Sequence, residues 1–183
     1  MKAIYLILVV SVLMALASCQ NQQSPLTDDE KKQITETTSR IVQEIIDDGN
    51  QKITPDSATV TLFKKYFSDD PTLRVVIHGS LYTSRGQMLD SIMSQKNFEF
   101  KKLVESFSET IDRFDVAVLS RESIAITTPC HWRIKIKDIP EYSGTEVLTW
   151  VFQKNDGTWK IILGTIADPN LCQAMSALMP PKK

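Results

Sequence analysis

Apolar residues first recur at helical spacing and later alternate with polar ones, which divides the chain into a helical first part and a sheet-forming second part. Ile34, Thr38, Ile41, Val42, Ile45 and Ile46 share one helical face. Thr27, followed by Asp28, Asp29 and Glu30, supplies a capping box and an acidic first turn, and Gly49 is expected just past the helix end. Thr54-Pro55 reads as the N-cap and first residue of a shorter second helix carrying Val60, Phe63, Tyr66 and Phe67. Ser68 to Pro71 breaks that helix, and the β-branched run from Leu73 to His78 predicts a strand. Ser84, with Gln87 three residues on, starts a third helix with Met88, Leu89, Ile92 and Met93.

From about Ser106 the period changes to two. Phe114, Val116 and Val118 alternate before a turn at Ser120 to Ser123. Ile124, Ile126, Thr128, Cys130, Trp132, Ile134 and Ile136 then occupy one face of a long strand, with Thr127, His131, Arg133, Lys135 and Lys137 on the other. Pro129 inside this run implies an edge or a bulge. Val147 to Phe152 and Trp159 to Ile166 are apolar on both faces, and Asn155-Asp156-Gly157 between them is a hairpin signal. Asp168-Pro169 opens a last helical segment with Leu171, Met175 and Leu178 on one side, and Pro180 to Lys183 form a tail. Helices, a strand, a helix and then a meander of strands predict an α+β fold, with helices packed on one face of a bent sheet.

The chain has 183 residues, with 21 basic and 22 acidic side chains, a net charge of −1 and 42% hydrophobic residues. These proportions suit one globular domain and argue against a disordered chain, a coiled coil or a nucleic-acid binder. The first nineteen residues stand apart. Met1-Lys2 is a minimal charged start, Ala3 to Ala17 is almost wholly apolar, and the run ends in Leu16-Ala17-Ser18-Cys19. A membrane span needs roughly 20 apolar residues, so this run suits a secretory signal better. The ending resembles the bacterial lipobox, which implies cleavage before Cys19 and acylation of that residue. Gln20, where an Asp would signal retention at the inner membrane, implies the outer membrane, facing the periplasm. Residues 1–18 are then the signal peptide and 19–26 the lipidated Cys and its tether. Cys130 and Cys172 remain, open to a bridge in an oxidising compartment but read here as two buried thiols.

Residues 27–168 resemble the nuclear-transport-factor-2-like superfamily, which includes SnoaL-like and ketosteroid-isomerase-like proteins. The resemblance rests on four features in order. They are the opening helix ending in Asp48-Gly49, the segment Tyr66-Phe67-Ser68-Asp69-Asp70-Pro71, Arg85-Gly86 opening a helix, and the last two strands joined through Asn155-Asp156-Gly157. It implies a cone in which three N-terminal helices pack on a strongly curved antiparallel sheet around an apolar pocket, often in homodimers built on the sheet's outer face. Residues 169–183 would follow as a helical segment and tail. Tyr66, Phe67, Met88, Ile92, Phe114 and Trp132 are the candidates to line the pocket, and its occupant would be a small apolar or amphipathic molecule.

Composition supplies few of the parts that most chemistry needs. The chain has two histidines, and neighbouring Cys130 and His131 point to opposite faces of a strand, so neither a metal site nor a cofactor is expected. The six glycines form no dinucleotide-binding or phosphate-binding loop. Acid–base chemistry in the pocket is the remaining enzymatic option. The family's isomerases place a carboxylate base at the first strand, where this chain has Val76-Ile77-His78-Gly79. His78 could substitute as base, or could be a hydrogen-bonded strand-end histidine. The family's oxyanion tyrosine falls near Val42, and its companion acid near Glu146, which is expected to be solvated at a strand edge. Thr165-Ile166-Ala167 stands where many relatives have H-x-S. These departures favour ligand binding without chemistry. An isomerase or dehydratase using His78 and Glu146, and a dimeric interaction module with no ligand, are the alternatives.

Overall fold

A computed structural model of the chain describes residues 24–51, 55–77, 79–94, 99 and 101–167. Cys19, His78, Cys172 and the last helical segment lie outside the described residues.

Helix α1 runs Asp28–Gln51, and Thr38, Ile41, Val42 and Ile46 form its buried stripe. Its capping box forms as the sequence predicts: the Thr27 amide donates to the Glu30 carboxylate at 2.8 Å, and the Glu30 amide to the Thr27 hydroxyl at 3.1 Å. Gly49 does not end the helix, which continues through it to Gln51. A contact to the sheet explains the extension, because Asn50 in the last turn is held by β3 (below). Helix α2, Ser57–Tyr66, starts later than expected. Asp56 is its N-cap and accepts from the amides of Ala58 and Thr59, while Pro55 stays outside the helix. An Asp carboxylate is at least as good a cap as Thr, and the Thr59 hydroxyl in turn accepts from the Asp56 amide at 3.4 Å. Strands β1, Arg74–Ile77, and β2, Ser80–Tyr82, form a small hairpin through Gly79, whose φ of +82° a side chain would disfavour. Helix α3 is Arg85–Ile92, capped by Ser84.

The remaining strands are β3, Val104–Ile111, β4, Asp115–Ser120, β5, Ser123–Ile136, β6, Tyr142–Asn155, and β7, Thr158–Ala167. They make one sheet ordered β2-β1-β7-β6-β5-β3, with β4 also on β5. Pairing is antiparallel except that β1 runs parallel to β7, so the sheet is mixed. Asp156 and Gly157, with φ of 49° and 78°, form the two-residue turn between β6 and β7 that their sequence announces.

Strand β5 lies inside the sheet, not at its edge. On one side it pairs with β4 over residues 123–127 and with β3 over 130–136, and on the other side it pairs with β6. Pro129 sits where the first neighbour gives way to the second. Its carbonyl accepts from the Asp112 amide at 3.0 Å, so the side on which it lacks an N–H faces the β3–β4 connection and no ladder bond is lost. A register shift after Val151 leaves Ile162 as an extra residue in β7. That bulge puts Trp159 and Ile161 before it, and Gly164 after it, on the buried side.

One face of this sheet meets the helices. Ile124, Ile126, Cys130, Leu148, Trp150, Phe152 and Ile161 pack there with Ile41, Val42 and Ile46 from α1, Tyr66 and Phe67 at the end of α2, and Met88 from α3. Phe67 stacks on Phe63 with ring centres 4.8 Å apart and meets Trp150 edge-on at 5.9 Å, arrangements that ring quadrupoles favour.

Candidate functional site

Toward the far end of the helix-facing side of the sheet, the register brings three strands into two adjacent rows. In one row Glu109 of β3 pairs with Trp132 of β5, which pairs with Gly144 of β6. In the next, Ile111 pairs with Cys130, which pairs with Glu146. Paired residues share a face, so Glu109, Cys130 and Glu146 converge. Gly144 makes room for this arrangement: the Trp132 indole lies where a Cβ would be, with ring carbons 2.5 and 2.8 Å from that position. The ring thus leans toward β6 and leaves Glu109 free to approach Cys130 and Glu146.

Helix α1 fixes the backbone beneath Glu109. The Asn50 side-chain amide donates to the Glu109 carbonyl at 2.7 Å, and its oxygen accepts from the Glu109 amide at 2.6 Å. Asn50 therefore acts as a short extra strand against the edge strand β3, satisfying both polar groups of one residue.

Both carboxyls are buried, Glu109 at 9% and Glu146 at 7% exposure. This corrects the expectation for Glu146: β6 is interior, flanked by β5 and β7, and residue 146 is in phase with Leu148, Trp150 and Phe152 on the covered face. Burial raises the Glu109 pKa above the usual carboxylate range, while hydrogen bonds with Glu146 and Cys130 act in the opposite direction. Burial beside a second carboxyl thus favours the protonated form of Glu109. Burial, and then the charge of Glu109, push the Cys130 thiol up to about 12, which keeps it protonated and inert at neutral pH. Cys130 is an unbridged, buried thiol. Among the described residues Glu109 Oε1 is buried with no hydrogen-bond partner, and such an atom carries an uncompensated desolvation cost.

The other candidates are distributed around this centre. Tyr66, Phe67 and Met88 belong to the main core, with Ile92 and Phe114 packed at its margin and Trp132 buried beside the acid pair. The Tyr66 hydroxyl donates to Glu44 on α1 and so braces the two helices. That bond holds the Glu44 carboxyl below its usual range, and burial pushes the Tyr66 hydroxyl above its own. β1 ends at Ile77, immediately before His78. Val42 is buried in the core, without a polar group to offer. Among the described residues no three His, Cys, Asp or Glu side chains are grouped to hold a metal ion, and no helix is long and apolar enough to cross a membrane. Two open surface depressions, each of about 430 Å³, lie outside the cone, one along α2 at Ser57, Thr61 and Lys65, the other at Asp69, Asp156 and Lys160.

Glu109 and Cys130 were missed as site residues by sequence reasoning. A signal existed: Glu109 alternates in phase with Phe107 and Ile111, an acid on an otherwise apolar face.

Helices on one side of a curved, unclosed sheet, with its polar residues gathered toward one end, define the nuclear-transport-factor-2-like fold, and the chain has that fold. It is similar to a nuclear-transport-factor-2-like protein of unknown function from Shewanella oneidensis, at 17% identity over 73% of this chain and 98% of that one, TM-score 0.52. It is also similar to the association domain of CaMKII from C. elegans, at 11% identity over 78% and 100% of the two chains, TM-score 0.57. A third similar structure is a LinA-type3 hexachlorocyclohexane dehydrochlorinase from Novosphingobium barchaimii, at 12% identity over 77% and 90%, TM-score 0.57. No protein-family model matches the sequence, and no curated protein does.

Proposed function

We propose that this protein is an envelope lipoprotein, anchored through Cys19 in the outer membrane and facing the periplasm, whose cone binds a small amphipathic molecule without transforming it. The observation that carries the binding reading is the unpartnered Glu109 Oε1 among buried polar neighbours. Proteins seldom leave such an atom unpaired, and a ligand hydroxyl or amine would satisfy it while the apolar remainder met the core around Trp132 and Phe114. The lipobox-like ending at Cys19 supports the anchor.

Homodimerisation is part of the same proposal. The outer face of the sheet carries Ala125, Thr127, Val147, Thr149, Val151, Leu163 and Thr165, with Val147 and Leu163 each more than 40% exposed. These residues form a β-branched patch beside the basic side chains His131, Arg133 and Lys135 on the same face of β5. A patch of this kind suits a partner sheet, and one of the similar structures is an association domain.

Burial of Glu146 against a second acid favours one alternative, an isomerase or dehydratase in which the protonated pair steadies an oxyanion and His78 is the base. Native mass spectrometry of residues 20–183, followed by solvent extraction, separates the readings. A stoichiometric passenger recovered unchanged after incubation supports binding, and a passenger converted to product supports the enzyme. An empty dimer would transfer the proposal to an interaction module.

A further inference from the structure

The tether leaves the domain at a defined place. Arg121, in the turn between β4 and β5, reaches back over 91 residues to the start of α1, where its Nε donates to Glu30 Oε1 at 2.9 Å and one terminal nitrogen to Glu30 Oε2 at 3.1 Å. The other terminal nitrogen donates to the Ser24 carbonyl at 2.7 Å. Longer contacts reach the Ser24 hydroxyl at 3.4 Å and the Pro25 carbonyl at 3.5 Å. A planar guanidinium used on two sides, bidentate to a carboxylate and bonded to backbone oxygen, is a geometry that Lys could not reproduce. The hydrogen bonds from Arg121 hold the Glu30 carboxyl down at about 2, so the contact persists across physiological pH.

From this fixed point we infer that the protein has one orientation on the lipid surface: the end bearing the β4–β5 and β6–β7 turns lies against the membrane, and the acid pair points away from it. The inference rests on the Cys19 anchor proposed above. Cys19 and Ser24 are five residues apart, and an extended chain spans at most about 3.6 Å per residue, so the leash reaches at most ~18 Å. Helix α1 has 24 residues and is therefore about 36 Å long. Its first turn is pinned at Arg121 and its last turn at Glu109. The pins at Glu30 and Asn50 are 20 residues, about 30 Å, apart along the helix, well beyond the reach of the leash, so the molecule cannot invert to bring its acid end to the bilayer. Both turns sit at the leashed end, since the Lys154 amide donates to the Glu122 carbonyl there at 2.8 Å.

The test uses the full-length lipidated protein in phosphatidylethanolamine–phosphatidylglycerol vesicles containing a headgroup-linked quencher. A fluorophore is placed at Leu119→Cys, beside the clamp, or at Lys137→Cys, beyond the far end of β5, each with Cys172→Ser. Quenching at position 119 should exceed that at 137 at least threefold. Arg121→Ala frees the chain back to Thr27 and should reduce that ratio about twofold while the protein still floats with the vesicles. Equal quenching at the two positions, or stronger quenching at 137, overturns the orientation. Failure of the unlabelled protein to float overturns the anchor and the orientation together, and so is distinguishable from an anchored protein with no preferred face.

Discussion

Glu109 and Cys130 illustrate how neighbours, not residue type, set chemical behaviour. Because burial raises the Glu109 pKa, the folded state retains a proton that an unfolded glutamate releases near pH 4.5. The associated stability is fully present below that pH and is lost as pH rises through the raised value. Glu109→Gln removes the titrating group at nearly constant shape. Urea midpoints for the variant should therefore fall less between pH 5 and pH 8 than those of the unaltered protein, and parallel curves would show that Glu109 ionises freely. Cys130, with its thiol pushed up to about 12, should resist alkylation by iodoacetamide at pH 7.5 in the folded protein and react promptly in denaturant. Peptide mapping distinguishes it from Cys172. Gly144 tests packing at the same centre. A methyl there would lie 2.5 Å from the Trp132 ring, so Gly144→Ala should cost about 1–3 kcal/mol in chemical denaturation.

At the scale of elements, α1 is a strut joined to the sheet at both ends. Asn50 forms two hydrogen bonds with one residue of β3. Asn50→Ala leaves the Glu109 amide and carbonyl unpaired at a strand edge and should cost about 1–3 kcal/mol. Hydrogen exchange should show the loss as faster exchange in β3 and the last turn of α1, with β6 unaffected. The helix boundaries teach a related lesson. Thr27 and Glu30 mark the start of α1 because a capping box is local, whereas the local stop signal at Gly49 yields to Asn50, whose partner is 59 residues away in sequence. A glycine costs a helix only about 1 kcal/mol, less than the two bonds that draw the helix past it.

For the whole molecule, the outer face of the sheet and the end held by Arg121 carry separate consequences. If Val147 and Leu163 lie in a dimer interface, Val147→Lys with Leu163→Glu should convert the soluble domain from dimer to monomer in light scattering, with its circular dichroism unchanged. A monomeric starting protein would refute the dimer outright. The clamp at Arg121 does not use that face, so membrane orientation and dimerisation can be tested independently.

Hydrophobic period and local turn and cap signals determined the three helices, the covered faces of α1 and β5, and the two-residue turn at Asp156-Gly157, since these depend on contacts within a few residues. The short strand Ser80–Tyr82, the bounds of β3 and the covered face of β6 were not legible. Motif order along the chain was enough to indicate the fold. Strand neighbours were not legible in the same way: Pro129 suggested an edge, but β5 is interior, because pairing partners lie tens of residues apart and no local rule selects them. The same holds for the candidate site. Glu146 could be read as a position but not as a buried acid, and Glu109 announced itself only as an acid in an apolar phase. Their meeting beside Cys130 required the register of three strands and the room left by Gly144. Proximity across strands, and the exclusion of water that shifts their protons, exist only once the tertiary structure has formed.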